Sequence, residues 1–190
     1  MSNPFCRLWR HPAARIAAAA LVVVVALAAY WFQPWKLLTN TTVDEPFPTA
    51  AARPMPSAPV SAAPPQSPVV VAEGALISHE HPTTGIAKLV RLPDGAHVLR
   101  LENLNTSDGP QLVVLLTDSP VLEGRYGWHV FEQGRHIDLG ALKGNRGSAN
   151  YRIPAGVDIK GLNSVSIWCD RFDVSFGAAE LVGLPDAAQA

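Results

Sequence analysis

Ser164-Val165-Ser166-Ile167-Trp168-Cys169-Asp170-Arg171-Phe172-Asp173-Val174-Ser175-Phe176 is the stretch whose reading decides the fold. Side chains of a strand point alternately to opposite faces. Val165, Ile167 and Cys169 therefore share one face, and Phe172, Val174 and Phe176 share another. Two such runs separated only by Asp170-Arg171 predict a tight hairpin, with Cys169 at a strand end on an apolar face.

Working outward, the same signature recurs. Strands are expected at Ala75–Ser78, Gly85–Arg91, His97–Glu102, Leu112–Thr117, Trp128–Phe131, His136–Leu139, Asn150–Ile153, Ser164–Trp168 and Phe172–Phe176. Leu99 and Leu101 share a face, with Arg100 and Glu102 opposite. Pro93-Asp94-Gly95, Ser107-Asp108-Gly109-Pro110, Lys143-Gly144-Asn145-Arg146-Gly147 and Pro154-Ala155-Gly156 supply turns between them. No ten-residue helical periodicity interrupts the pattern. The expected fold is all-β, an antiparallel β-sandwich of about seven to nine short strands over residues 70–184, with 185–190 as a tail.

Upstream the composition changes twice. Residues 36–69 alternate Pro with Ala, Ser and Thr (Pro46, Pro48, Pro54, Pro56, Pro59, Pro64, Pro65, Pro68) and read as a disordered, partly polyproline spacer. Residues 16–35 form an apolar run without charge, ending in Tyr30, Trp31 and Trp35, and long enough to cross a bilayer. Arg7, Arg10 and Arg15 precede it and only Lys36 follows closely, which places residues 1–15 in the cytoplasm and the β-domain outside. Ala26-Leu27-Ala28 resembles a signal-peptide cleavage site, but the aromatic residues that follow favour an uncleaved signal-anchor. The expected location is a bacterial inner or plasma membrane, single-pass, with a periplasmic β-domain and the lipid bilayer as partner of residues 16–35.

Fifteen basic and sixteen acidic residues leave no footprint for nucleic acid. There is no Gly-x-Ser-x-Gly elbow, no P-loop and no Cys-x-x-Cys-His haem attachment. The aspartates at predicted turns form no identifiable acid/base couple. The two cysteines, Cys6 and Cys169, fall on opposite sides of the membrane, so Cys169 is a lone thiol in an oxidising compartment. It is either a reactive group or ligand, with Arg171 nearby to favour a thiolate, or a small core hydrophobe.

His79 and His81 lie two apart and with Cys169 would make a soft metal site for copper or zinc, although Pro82 ends the strand and surface histidines near turns are common. His129 and His136 flank Gly134 and would face each other across a hairpin. The Lys143–Gly147 loop offers an anion site or, more simply, a mobile turn.

Residues 75–182 resemble the DM-thirteen domain. The matching stretches are His81-Pro82-Thr83-Thr84-Gly85, Leu99-Arg100-Leu101-Glu102-Asn103, Gly109-Pro110 with Leu112-Val113-Val114-Leu115-Leu116, and Leu142-Lys143-Gly144-Asn145-Arg146-Gly147. Asn150-Tyr151-Arg152-Ile153-Pro154, Val165-Ser166-Ile167-Trp168-Cys169 and Phe172-Asp173-Val174-Ser175-Phe176-Gly177-Ala178-Ala179 follow in order. The resemblance implies a small β-domain with a proposed electron-transfer role, resting on a cysteine in an Ile-Trp-Cys context, here Cys169. In larger proteins such domains accompany DOMON and cytochrome-type modules, so the resemblance implies a separate membrane or periplasmic redox partner; it identifies no cofactor.

Two functional readings follow. One is a membrane-tethered redox accessory domain using Cys169. The other is a non-catalytic ligand- or protein-binding module in which Cys169 is structural and loops such as Ser107–Pro110 and Lys143–Gly147 contact a partner.

Overall fold

A computed structural model describes residues 12–49 and 67–184. The chain divides into two units at Leu38/Thr39. The first holds α1 (Pro12–Phe32), 21 residues that include an 18-residue window of mean hydropathy 2.2 and no buried side chain. At 1.5 Å per residue it is about 31 Å long, matching a hydrocarbon core of roughly 30 Å. Pro12 opens it, where a missing N–H costs nothing. Gln33, at φ 44°, and Pro34 close it before a short 3-10 turn, Pro34–Leu38.

The second unit is two packed sheets. The eleven strands among the described residues are β1 (Thr42–Asp44), β2 (Val69–Ala75), β3 (Ile77–Ser78), β4 (Thr84–Arg91), β5 (His97–Asn105), β6 (Leu112–Thr117), β7 (His136–Ala141), β8 (Arg146–Arg152), β9 (Ser164–Cys169), β10 (Val174–Glu180) and β11 (Val182–Gly183). The first sheet has the order β1-β8-β5-β4-β2-β11 and the second β3-β10-β9-β6-β7. The count exceeds nine because β1, β3 and β11, of two or three residues, cap sheet edges.

Between the sheets lies the main core. Leu99 and Leu101 on β5 join Val114 and Leu116 on β6, and Val165, Ile167 and Cys169 on β9. This is the inward set that alternation predicts. The second sheet, however, is buried on both faces. Val113, Leu115, Trp168 and Ala178 on its outer face pack with Phe131 from the 118–135 segment. Phe131 meets Trp168 edge-on, with centroids 6.4 Å apart. A strand buried on both faces reads as a continuous apolar run, as Leu112-Val113-Val114-Leu115-Leu116 does.

Three local expectations are corrected. Trp128–Phe131 is not a strand: after a 3-10 turn at Gly124–Gly127, Trp128 N–H bonds the Arg125 carbonyl and Gln133 N–H that of Val130, and the bond from Ser175 N–H to the Trp128 carbonyl at 2.8 Å does not extend into a ladder. Phe172 belongs to the β9–β10 turn, since Val174 pairs with Cys169 and Asp173 takes φ 51°. The Lys143–Gly147 stretch is fixed: Asn145 is 2% exposed, and β8 begins at Arg146.

Within the stretch read as spacer, Thr42–Asp44 forms β1, parallel to β8 with Thr42 opposite Arg146 and Asp44 opposite Ser148. A buried Pro48 follows. Residues 50–66 of that stretch, the 1–11 segment and the 185–190 tail lie outside the described residues.

The inter-sheet layer should dominate stability. Leu101→Ala, at a site with no exposure, is expected to cost about 2–5 kcal/mol, measured as a lowered urea midpoint with an unchanged slope.

Candidate functional site at the Cys169 end of the sandwich

Chain topology gathers three connections at one end of the sandwich: the bend 79–83 between β3 and β4, the link 106–111 between β5 and β6, and the turn 170–173 between β9 and β10. Thr83 ties them together. Its Oγ1 lies 2.8 Å from Thr106 Oγ1 and donates to the Phe176 carbonyl at 2.9 Å.

Cys169, the last residue of β9, faces the inter-sheet core and is 0% exposed. Its thiol donates to the Pro110 carbonyl at 3.1 Å. The covering turn is pinned across the strand end: Asp170 N–H reaches the Gln111 carbonyl at 3.2 Å, and Arg171 Nε reaches Gln111 Oε1 at 2.9 Å. Burial pushes the thiol pKa up, and the carboxylates of Glu80 and Asp170 add to the rise, while the N–H groups of Phe172 and Arg171 oppose it. The protonated form therefore prevails, in contrast to the thiolate that Arg171 alone would favour. Gln111 and Asp173, in the turns on either side of Cys169, hold φ values of 55° and 51°. For residues with a Cβ this is a strained conformation, costing on the order of 1–3 kcal/mol each.

The expected ligand set does not assemble. Among the described residues, no group of three His, Cys, Asp or Glu side chains is placed to hold a metal ion. His79 turns to the outer face of the second sheet, where it stacks on Phe131 at 5.7 Å. His81 tilts over Phe176, with centroids 4.0 Å apart, and lies 3.6 Å from Glu80. Cys169 stays in the layer between the sheets. His129 and His136 do not face one another either: His129 Nδ1 contacts the Asp173 carbonyl, and His136 Nδ1 the Gly134 carbonyl.

The sequence reading missed a buried polar chain. Ser166 Oγ donates to Ser175 Oγ at 2.9 Å, Ser175 Oγ lies 2.8 Å from His79 Nδ1, and His79 Nε2 lies 3.0 Å from the Leu122 carbonyl. Because a carbonyl only accepts, Nε2 carries the proton, Nδ1 accepts from Ser175, and Ser175 accepts from Ser166. The usable signal was Trp168, which alternation places on the same face as Ser166. A large aromatic there means that the face is covered. Beside this chain the indole N–H groups of Trp168 and Trp128 are buried without an acceptor. Such an orphan donor costs about 1–3 kcal/mol.

At the opposite end, where β4 turns into β5 and β8 leaves its sheet, a cavity of about 340 Å³ is lined by His97, Arg152, Asp94, Pro154 and Gly156. It has no part in the environment of Cys169.

Desolvation holds the His79 pKa below its ordinary value, against the raising effect of the Leu122 carbonyl, and burial lowers His81 and His97 in the same direction. A histidine with a lowered folded pKa stabilises the fold above its unfolded value, about 6.5, and loses that contribution as pH falls through the folded value. Urea midpoints are therefore expected to drop from pH 7 to pH 5. His79→Gln should flatten that drop while lowering stability at pH 7.

A comparison with family models matches residues 75–181 to DM13, described as electron transfer DM13. Neither curated proteins nor solved structures gave a match.

Proposed function

The chain belongs to the electron transfer DM13 family, and from that premise we propose that it is a membrane-tethered, extracytoplasmic redox accessory domain in which Cys169 is a gated thiol. The observation that carries this reading is the position of Cys169. It sits at a strand end, and the turn that covers it carries its one thiol acceptor, the Pro110 carbonyl, next to a strained Gln111. α1 is long and apolar enough to serve as the tether, and the Arg7, Arg10 and Arg15 side chains favour a cytoplasmic N-terminus.

With the turn closed, Cys169 is a protonated thiol and neither attacks nor coordinates. With the turn displaced, the thiol sheds its proton to solvent and the thiolate attacks a disulfide of the partner. The partner's S–S bond breaks, a Cys169–partner bond forms, and the leaving sulfur departs as a thiolate that takes up a proton. Cys169 is oxidised and the leaving sulfur reduced. The carboxylates of Glu80, Asp170 and Asp173 around this end favour a partner with a basic face.

Complete burial of Cys169 favours a second reading, a binding module in which the cysteine only packs the core. The two separate on alkylation of the native full-length chain, followed by mass spectrometry at Cys169. A Cβ at Gly109 would lie 2.8 Å from Phe176 Cζ, so Gly109→Ala pushes the covering turn away from its seat. The gated thiol is expected to label in the native protein, with an inflection above that of the unfolded thiol. Gly109→Ala should accelerate labelling roughly tenfold, as for a local opening. Labelling of both proteins at the rate of global unfolding would establish the core role.

A further inference from the structure

Residues 39–48 lie as an extended strap along the β8 edge of the first sheet. β1 pairs with β8 through Arg146 N–H to the Thr41 carbonyl and Glu45 N–H to the Ser148 carbonyl. Asn145, 2% exposed, accepts the Thr41 N–H at 2.7 Å and donates to Asn40 Oδ1 at 2.9 Å. Glu45 is held by Lys143 Nζ at 2.8 Å and by the Asn150 N–H at 2.7 Å. Arg100, 6% exposed, donates to the carbonyls of Glu45 and Pro46, and its guanidinium lies over the Phe47 ring at 5.6 Å.

The glycines give the clearest sign that the surface is cut for a backbone. A Cβ at Gly144 would meet Thr41 O at 2.7 Å and Val43 Cγ2 at 2.9 Å, and one at Gly147 would lie 2.2 Å from Val43 O. Their closest obstacles are atoms of the strap. The groove residues all fall within the family match, 75–181, whereas the strap lies wholly outside it. Three residues of parallel edge pairing make a weak ladder, because parallel pairs are slightly less stable per residue than antiparallel ones. Among the described residues, the next element after the strap is β2, which starts at Val69.

We propose that the β8 edge is a peptide-binding groove acting by strand addition, with residues 39–48 as its exchangeable internal occupant. Its partner is an extended segment of another protein with the same chemistry: a short β-forming run, an acidic residue, then Pro-aromatic-Pro. Each part of the strap states one requirement. Thr42–Asp44 supply the ladder, the Glu45 carboxylate meets Lys143 and the Asn150 N–H, and Phe47 lies against Arg100. Pro46 and Pro48 preset the extended backbone and bring no N–H to leave unpaired. Tethering gives the strap a high effective concentration, so the groove is closed until the strap is weakened or outcompeted. This mode of recognition draws affinity from the main chain and specificity from the side chains, and it needs nothing from Cys169.

The test uses the full chain in detergent micelles and a fluorescent synthetic peptide with the sequence of residues 39–49. Glu45→Ala with Phe47→Ala weakens the strap and leaves the groove intact, whereas Gly144→Ala obstructs the groove. Anisotropy is expected to show the double variant binding the peptide at least about tenfold more tightly than the wild type, and the triple variant with Gly144→Ala losing that binding. Equal binding by the double variant and the wild type, or by the double and triple variants, would overturn the proposal. Hydrogen exchange on the unaltered chain supplies the control for folding. The Glu45 and Arg146 amides should exchange at least about tenfold faster than those of Leu99 and Leu101, and exchange of all four at one common rate would make the strap a fixed part of the fold.

Discussion

The apolar layer between the two sheets is the constraint on which the rest of the β-domain depends. Leu99 and Leu101 enter it from one side, and Val165, Ile167 and Cys169 from the other. Because strand side chains alternate, a slip of one residue would exchange Leu99 and Leu101 for Arg100, and Ile167 for Ser166. Register is thereby settled in both sheets, and everything outside the layer inherits its position. Arg100 must point outward, where the strap receives it. Ser166 and Trp168 must point to the outer face of the second sheet, where the 118–135 segment covers them. Cys169 must end its strand inside the layer, under the Pro110 turn.

The inward alternation, the long strands and the apolar helix were legible because each is a local pattern with a period. Leu99 and Leu101 against Arg100 is a period of two, and the run from Ile16 onward is a length. What escaped the reading was decided by contacts distant in sequence. Thr42-Val43-Asp44 has too few residues to show a period, and only Gly144, Gly147 and Arg100, far along the chain, make it a strand. Trp128-His129-Val130-Phe131 has strand composition, but it forms turn bonds and an isolated bond to Ser175 instead of a ladder, and Phe131 serves as a plug over Trp168. Ser166 and Ser175 look solvent-facing by alternation, and His79 beside them completes a buried chain that no spacing rule describes. His79, His81 and Cys169 are not brought together, for a related reason. Closeness in sequence puts two imidazoles on one bend, yet that bend sends one to the outer face and the other over Phe176.

Placing a thiol in a core and then covering it with a strained turn has opposite effects on reactivity and on selectivity. The raised pKa and full burial keep Cys169 inert towards small oxidants. The same cover means that the thiol is reached only where the Gln111 turn moves. An exposed thiolate would react sooner and with less discrimination. The fold thus places its single described cysteine at the deep end of that trade, one turn away from the surface.

The strap also changes how the domain answers force. Tension applied to the chain before Thr39 reaches β1 before β2, so the short ladder on β8 is the first element stressed and the sandwich is shielded while that ladder holds. Once it parts, the load passes down the chain to β2 without a bond between the strands of the core having broken. The β1–β8 ladder therefore stands in the place of a mechanical fuse.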